Sequence, residues 1–219
     1  MYTNSMKVGI LGSGIVGQVL GKAFLDEGHP VMLGSRNNTK DQMLKWKEAN
    51  PRANIGTYHD TAVFGELIVL ATKGSVIEEV VKQAGPDNFR NKTVIDTTNP
   101  IADQPPVNGV LKFFTDLNLS LMERIQLAIP DAHLVKAFNS VGSALMYRPD
   151  FGETKPTMFI CGNNNDAKAT VSGLLQVFGW EVEDMGKNEA ARAIEPLCML
   201  WCIPGMLNNR WTHAFKLLK

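Results

Sequence analysis

Three glycines near the start of the chain, Gly12, Gly14 and Gly17, form a G-x-G-x-x-G pattern. An uncharged apolar run precedes them and apolar residues then recur every three or four positions, which predicts a strand, a tight turn and a helix. The first glycine permits the turn, the second admits a pyrophosphate close to the backbone, and the third lets the helix pack on the strand. The helix N-terminus offers free N–H groups and partial positive charge to phosphates.

We therefore expect a dinucleotide to bind along this turn. The alternative is a glycine-rich turn that binds nothing. The residues expected to hold the pyrophosphate are Gly12, Ser13, Gly14, Ile15, Val16 and Gly17.

The segment after the second predicted strand distinguishes between two dinucleotides. NAD sites usually place an acid there, about 20 residues past the glycines, to bond the ribose 2′-hydroxyl. This chain instead has Ser35, Arg36 and Asn37, with Lys40 one turn later. A carboxylate would repel a 2′-phosphate, whereas a hydroxyl and a guanidinium bind it, and Arg36 can also stack on adenine. The pattern favours NADP(H), and the alternative for Arg36 alone is a solvated loop residue.

Polar and small residues follow several later strands. Because the carboxyl ends of parallel strands meet at the edge where ligands bind, we expect them to surround the cofactor. The residues expected to border the ribose and nicotinamide are Ala71, Thr72, Lys73, Asn99, Pro100 and Asn139. Turn and cap roles are the alternative for the two asparagines and are favoured for Asn99. Gly74 is expected to let the backbone pass close to the ribose, and the irregular segment 99–112 to lie over the same edge.

The sequence assigns no catalytic residue. None of the three tyrosines has a lysine four residues later, and none of the four histidines is placed as an acid or base beside the nicotinamide. A chain without an obvious proton donor suits direct hydride exchange between two cofactors, in which the protein mainly aligns them.

Apolar runs alternate with helical patterns, which predicts an α/β fold with a doubly wound, mostly parallel sheet of the Rossmann type. The predicted strands are 6–11, 30–34, 53–58, 67–72, 92–97, 133–138, 157–162 and 180–185. The predicted helices are 15–27, 39–49, 75–84, 117–128, 164–178, 189–202 and 206–218. We expect one NAD(P)-binding domain over residues 1–188, with residues 189–219 as a helical cap on the same domain that Pro204-Gly205 kinks or splits.

Composition limits the other function classes. The 219 residues carry 22 basic and 22 acidic side chains, so nothing favours a nucleic-acid or acidic membrane surface. Cys161, Cys198 and Cys202 lack zinc-site spacing and are expected to be buried free thiols in a reducing compartment. With no signal or membrane-spanning segment recognised, we expect a cytoplasmic protein. The apolar tail after Arg192 predicts either a helix pair covering the sheet or the interface of a homodimer.

Taken together, these motifs resemble those of the coenzyme F-420 (deazaflavin)-dependent NADP oxidoreductases and the related cytosolic NADPH-binding domain of the six-transmembrane metalloreductases. The resemblance extends in order over nearly the whole chain. The matching segments are Gly-Ile-Leu-Gly-Ser-Gly-Ile-Val-Gly17, Leu-Gly-Ser-Arg36, Val-Ile-Asp-Thr-Thr-Asn-Pro100, Leu-Val-Lys-Ala-Phe-Asn139, Ile-Cys-Gly162 with Asn-Asn-Asn-Asp166, and Ala-Arg-Ala-Ile-Glu-Pro-Leu197.

The resemblance implies NADP(H) on the glycine turn, Ser35 and Arg36, and a second redox partner over Asn99–Pro100 and Phe138–Gly142, under the tail helices. The chain departs from the family where the deazaflavin would lie. It has Thr72-Lys73 in place of an Ile-Pro, and Phe138-Asn-Ser-Val in place of a His-Thr-Ile-Pro-like run. The acceptor is therefore open among a deazaflavin, another flavin and a small carbonyl or imine. The non-enzymatic alternative is an NADP(H)-sensing module.

Overall fold

Six parallel strands form the main sheet of the structure, a computed structural model that describes residues 5–219. Their spatial order is β3-β2-β1-β4-β5-β6, so the chain reverses direction across the sheet between β1 and β4. The strands are β1 Val8–Leu11, β2 Val31–Gly34, β3 Asn54–Gly56, β4 Leu67–Leu70, β5 Thr93–Asp96 and β6 His133–Lys136. In open α/β sheets, ligands bind at such a reversal, beyond the carboxyl ends of the strands.

Two further strands, β7 Thr157–Ile160 and β8 Glu181–Asp184, pair in parallel as a small second sheet. A single antiparallel bridge between Lys136 and Cys161 connects it to β6. The doubly wound α/β fold class is confirmed, and each predicted strand contains an observed one. Residues of the central strands alternate between two buried apolar clusters, one on each face, so both faces of the sheet are covered.

Seven α-helices cover the described sheets. They are α1 Ile15–Asp26, α2 Asp41–Ala49, α3 Tyr58–Phe64, α4 Ile77–Ala84, α5 Leu121–Ala128, α6 Asn165–Val177 and α7 Ala191–Asn208.

Helix α3 is absent from the sequence prediction. Its start carries a capping box, because Thr57 Oγ1 accepts from the Asp60 N–H at 3.1 Å and Asp60 Oδ2 accepts from the Thr57 N–H at 3.0 Å. The T-x-x-D spacing of this capping box could therefore have been recognised in the sequence. Seven residues are too few to show a clear helical period, which is why the prediction missed it.

The prediction of a separate helix over 206–218 is wrong. Helix α7 continues through Pro204-Gly205 to Asn208 and ends where Asn209 adopts a left-handed conformation with φ of 51°. Residues 209–219 form no regular secondary structure. The Trp211 ring packs so closely on Gly205 that a Cβ there would lie 2.3 Å from it. This packing favours an extended tail, which continues to β7, where Phe215 O accepts from the Thr157 N–H at 2.9 Å.

Within residues 5–219, one stretch is long and apolar enough to cross a membrane, namely Asn188–Asn208, with mean hydropathy 1.2 over its apolar window. This criterion uses length and composition alone, and core helices also meet it. In this structure α7 packs beside α5 and buries Glu195, an acid that would be costly in a lipid interior.

Candidate dinucleotide-binding site

The glycine turn between β1 and α1 has three different steric environments. At Gly12, φ is +134° and a Cβ would lie 2.2 Å from Ala71 O, while a Cβ on Gly17 would lie 1.9 Å from Gly12 O. At Gly14 a Cβ would meet no atom within 4 Å. Gly12 and Gly17 are thus required by the fold itself, whereas the space above Gly14 is open to a ligand.

The first turn of α1 leaves its backbone donors available. Its N-cap is Gly14, which has no side chain to bond them, and the first turn contains no acidic residue. The Gln18 side chain turns back to donate to Ser13 O at 2.9 Å. An uncapped helix N-terminus of this kind attracts an anionic group.

A pocket of about 380 Å³ opens beside this turn, at the ends of β4 and β5. Seven of the residues proposed from the sequence line it: Gly14, Ile15, Val16, Ala71, Thr72, Lys73 and Asn99. The lining also includes Gly74, which was expected near the ribose, and Ile101 and Asp103 of the segment expected over this edge. Thr97 and Thr98 also line the pocket and were not proposed. The two threonines belong to the Thr-Thr-Asn-Pro motif and could have been included, whereas Asp103 enters only because segment 99–112 folds back through an Ile101–Phe113 bridge.

The role expected of Gly74 changes in the structure. A Cβ on this residue would lie 2.0 Å from Asn99 O, so its smallness is required for packing between the two strand ends. Gly74 lines the pocket, but steric contact with Asn99 explains the glycine without any ligand.

The residues proposed for the 2′-phosphate lie at the end of β2, next to the glycine turn. The Gly12 N–H donates to Gly34 O at 3.0 Å, which brings the two strand ends together. Ser35 is buried, and Arg36, Asn37 and Lys40 are exposed. These three therefore form an open rim.

Two local contacts modify this rim. Asn37 Oδ1 accepts from the N–H of Thr39 at 2.9 Å, so part of its side chain is already engaged. Tyr58, which the sequence did not suggest, lies beside Arg36. Burial raises the pKa of Tyr58, and the charge and backbone N–H of Arg36 act in the opposite direction.

Pro100 and Asn139 lie outside the pocket lining. Pro100 is buried and its carbonyl accepts from the Phe114 N–H at 2.9 Å, which anchors the long loop after β5. Asn139 is also buried, and its Nδ2 donates to Ile194 O of α7 at 2.9 Å. Asn99 Nδ2 donates to Asn139 O at 2.8 Å, so the two predicted asparagines do lie together.

Two buried polar atoms near these residues lack a hydrogen-bond partner in the described part of the chain. They are Thr72 Oγ1 and Asn139 Oδ1. Buried polar atoms are normally paired, and Thr72, which lines the pocket, therefore offers its hydroxyl to a bound molecule. Phe138, directly before Asn139, is buried with a φ of +61°, a strained conformation for a large side chain of the kind found at functional sites.

Segment Phe138–Gly142, proposed from the resemblance as acceptor surface, is covered by α7. Its residues from Phe138 to Val141 are buried, and the Trp201 ring packs so closely on Gly142 that a Cβ there would lie 2.7 Å from it. The open pocket is lined by Asn99 and by none of the residues 138–142.

The pocket lining contains only two titratable side chains, Lys73 and Asp103. Their charged atoms are 3.5 Å apart, and both side chains are well exposed, so this pair contributes little stability. None of the four histidines lines the pocket. The three cysteines are free thiols, and burial raises the pKa of Cys161 to about 12, which leaves it unreactive at neutral pH.

Comparison with known proteins relates this site to a family. Residues 7–100 match the model of the family described as NADP oxidoreductase coenzyme F420-dependent. The chain is related to NADP-dependent oxidoreductases. The matched segment runs from β1 to the end of β5 and contains every proposed site residue except Asn139.

Individual relatives extend the similarity over the whole chain. The metalloreductase STEAP3 of Rattus norvegicus is 30% identical over 207 residues, which cover 92% of this chain and 39% of that protein. The chain thus spans about two fifths of the length of this relative.

Solved structures give the same picture. A protein provisionally described as an F420-dependent NADP reductase from Arthrobacter sp. FB24 superposes with a TM-score of 0.91 at 28% identity, covering 98% of this chain and 100% of that one. A reductive aminase from Aspergillus terreus in complex with NADPH shares the fold, with a TM-score of 0.66 at 16% identity over 94% of this chain and 64% of that one. The resemblance stated from the sequence is confirmed, and the comparisons leave the acceptor open.

Proposed function

We propose that this chain transfers hydride between NADPH and a planar acceptor, a deazaflavin or another flavin. The observation that carries the proposal is the uncapped N-terminus of α1, open above Gly14 and continuous with a pocket in which the titratable lining side chains, Lys73 and Asp103, pair with each other. Bound NADPH would supply the hydride from its nicotinamide ring. The protein's part is to bind and orient the two rings.

The residues present fit NADPH. The turn Gly12–Gly17 would hold the pyrophosphate, because its second glycine leaves room and the helix donors are free. The 2′-phosphate would lie on the open rim of Arg36, Asn37 and Lys40, where Asn37 contributes its side-chain NH2, and would also bond the Ser35 hydroxyl. No acid stands among these residues, so the phosphate meets no repulsion there.

The ribose and nicotinamide would lie against Thr72, Lys73 and Asn99, which line the pocket. The unpaired Thr72 Oγ1 is available to bond them. Asn139 would act from behind Asn99, to which its carbonyl is hydrogen-bonded. Ala71 would contact the cofactor through its backbone, and Pro100 would support the site by packing.

The acceptor would enter from the long loop after β5. A second cleft of about 320 Å³ shares Gly74 and Asp103 with the pocket and is lined by Phe114 and Arg124. The Arg124 guanidinium lies over the Phe114 ring, 5.6 Å from its centroid. A ring and a guanidinium in this cleft would offer stacking partners to a planar acceptor.

Two other functions remain as alternatives. A small carbonyl or imine would need a proton donor, and Lys73 is the only cationic side chain in the pocket lining. An NADP(H)-sensing module would bind NADPH without transferring its hydride to any acceptor.

The deciding experiment follows NADPH oxidation with the deazaflavin, FMN, FAD and a panel of carbonyls and imines, with NADH as the matched cofactor control. We expect reduction of a deazaflavin or flavin, with NADPH well ahead of NADH. In Arg36→Glu, the affinity for NADPH should fall about 10-fold or more, and the affinity for NADH should change little. Unaltered NADPH affinity would refute the 2′-phosphate assignment, and tight binding without any turnover would favour the sensing module.

We also propose a cytoplasmic homodimer formed through α7. Only 39% of the apolar window in this helix is buried, and Leu200, Met206 and Leu207 are exposed. Leu207 also contacts the loop tip at Gly109, beside the exposed Val107. A second copy would cover this apolar surface.

Light scattering of wild type, Leu207→Arg and the control Leu44→Arg on α2 tests the dimer. We expect a dimer that only the α7 variant dissociates. A monomeric wild type would refute this part of the proposal.

A further inference from the structure

A buried ionic cluster lies behind the pocket wall and has no part in the function described so far. It consists of Lys136 at the end of β6, Asp96 at the end of β5 and Glu195 of α7, all essentially inaccessible to solvent. Lys136 Nζ is 2.9 Å from Asp96 Oδ2, 2.8 Å from Glu195 Oε1 and 2.7 Å from Thr98 O. An ammonium has three donors, and here each has an acceptor.

Both carboxylates have further donors. Asp96 Oδ1 accepts from the N–H of Thr98 at 2.9 Å and from its hydroxyl at 2.7 Å. The Glu195 carboxylate accepts from the N–H groups of Leu121 and Met122, each at 3.0 Å, in the first turn of α5. The positive end of this helix therefore offsets the one excess negative charge of the cluster. Burial lowers the pKa of Lys136, but Asp96 and Glu195 outweigh this and raise it overall, so Lys136 stays charged.

The cluster is part of a closed circuit of hydrogen bonds that includes the pocket wall. Lys136 holds the carbonyl of Thr98, and Thr98 and Asn99 line the pocket. Asn99 bonds Asn139 O, and Asn139 bonds Ile194 O. Ile194 directly precedes Glu195, whose carboxylate returns to Lys136. The ends of β5 and β6 are thereby locked to α7.

We propose that Lys136, together with Asp96 and Glu195, is a positioning residue for hydride transfer. It sets where Thr98, Asn99 and Asn139 stand against the nicotinamide end of the site. This inference rests on the proposed function. Because the cluster touches neither the glycine turn nor the Ser35–Arg36 rim, it acts on the geometry of the chemical step and leaves most of the cofactor affinity unchanged. A displacement of about 1 Å in such a wall can slow a reaction about 100-fold.

The chain offers a matched control. Arg192 Nε donates to Glu123 Oε2 at 3.0 Å, which joins the same two helices, α7 and α5, without contacting the pocket wall. Lys136→Met removes the bond to Thr98. Arg192→Met removes a bond between the helices only.

The test measures NADPH affinity by fluorescence and the single-turnover rate constant of hydride transfer to the deazaflavin or FMN, whichever wild type reduces faster. In Lys136→Met we expect the rate constant to fall about 10- to 100-fold, with NADPH affinity within about threefold of wild type. Arg192→Met should keep both values near wild type. A purely structural role would lower the folded fraction and leave the rate constant per bound NADPH unchanged.

Lys136→Met leaves two carboxylates without their buried cation, so Glu195→Gln provides a second variant in which Lys136 and Asp96 still neutralise each other. In Glu195→Gln we again expect a lower rate constant of hydride transfer with NADPH affinity near wild type, and the fall in the rate constant should be smaller than in Lys136→Met. Rate constants within about twofold of wild type in the folded variants would overturn the inference.

Amide hydrogen exchange provides a readout that does not depend on turnover. The Thr98 N–H should exchange faster in Lys136→Met and Glu195→Gln than in Arg192→Met, in the ligand-free protein. Unchanged Thr98 exchange would overturn the positioning role even if no acceptor were found. A wild type that reduces no acceptor would instead refute the proposed function.

Discussion

Two helices of this molecule differ in whether side chains cap the backbone N–H groups at their N-termini. Helix α1 begins at Gly14 with no side-chain cap and no acid in its first turn. Helix α5 has a capping box in which Ser120 Oγ accepts from the Glu123 N–H at 3.1 Å, and the Glu195 carboxylate bonds two further N–H groups. The N–H groups at the start of α5 are therefore bonded by side chains of the protein, whereas those at the start of α1 have no side-chain cap.

The difference shows that a helix N-terminus stays open to a ligand only where no other part of the fold caps it. Both helices follow strands of the same sheet and both point their N-termini towards the ligand edge. At α5 the acid comes from α7, and it also neutralises a buried lysine. At α1 glycine replaces the cap, and the space above it is open.

The largest expected effect comes from removing the Glu195 carboxylate, which accepts hydrogen bonds from two N–H groups at the start of α5. Glu195→Ala leaves the Lys136 ammonium with one partner fewer and two buried N–H groups unpaired. We expect the free energy of unfolding to fall by about 3–5 kcal/mol, measured by urea denaturation. Glu189→Ala, an exposed acid near the start of α7, is the control and should change it by less than about 0.5 kcal/mol. A loss below about 1 kcal/mol for Glu195→Ala would mean that the cap is not a structural element.

The next effect separates two glycines of the open turn. In Gly14→Ala the added methyl group meets no protein atom but occupies the ligand space, so NADPH affinity should fall about 10-fold or more while unfolding changes by less than about 1 kcal/mol. In Gly17→Ala the methyl group overlaps Gly12 O, so stability itself should fall. Calorimetric titration and thermal melts measure both quantities. Equal NADPH affinity in Gly14→Ala and wild type would place the cofactor elsewhere.

A smaller effect tests whether α1 can be made to resemble α5. Ile15 is the first residue of α1 and its side chain is 64% exposed. Ile15→Glu adds an acid beside the helix donors and should stabilise the ligand-free protein by about 0.3–1 kcal/mol. The same charge should weaken NADPH binding, because it repels the phosphates. Ile15→Gln is the uncharged control, and a charge-dependent change of the same sign in both quantities would contradict the comparison.

The last effect is a pH dependence at α5, which α1 lacks because it has no acid in its first turn. The hydrogen bond from Arg192, aided by the Ser120 backbone and hydroxyl, lowers the pKa of Glu123 from 4.5 to about 2, against the opposing effect of burial. Because this folded-state pKa is depressed, the stabilisation is complete above the unfolded pKa of about 4.5 and is lost as pH falls towards 2. Denaturation of wild type between pH 5 and pH 3 should therefore show a loss that Glu123→Gln lacks. Parallel curves for the two proteins would refute this assignment.

The sequence predicted the strands of the sheet more accurately than the conformation of residues 209–219. Strands such as Leu67–Leu70 are short apolar runs, and burial on both faces makes them recognisable without knowledge of their neighbours. The tail after Asn208 is also apolar, but its conformation depends on Trp211 packing against Gly205 and on the bond between Phe215 and Thr157. A local helical pattern cannot represent those contacts, so the predicted helix 206–218 was wrong.

Some features of the candidate site could likewise be predicted from the sequence, and others could not. The turn Gly12–Gly17 and the absence of an acid near Arg36 were readable, because they depend on residue type and short spacing. The place of Asp103 in the pocket depended on a loop folding back on itself, and the close packing of Trp201 on Gly142 depended on where α7 lies. Neither depends on a pattern that lies within one segment.

By itself, the sequence determined the strand–turn–helix with its open, uncapped helix N-terminus, because the three glycines, the apolar strand and the missing acid act within a few residues of each other. Only the tertiary structure decided that Lys136 meets Asp96, 40 residues away, and Glu195, 59 residues away, behind the pocket wall. Charged side chains read along a chain are expected in solvent. Their burial as a neutralised group requires three distant elements to converge, and the packing of the sheet and helices determines that convergence.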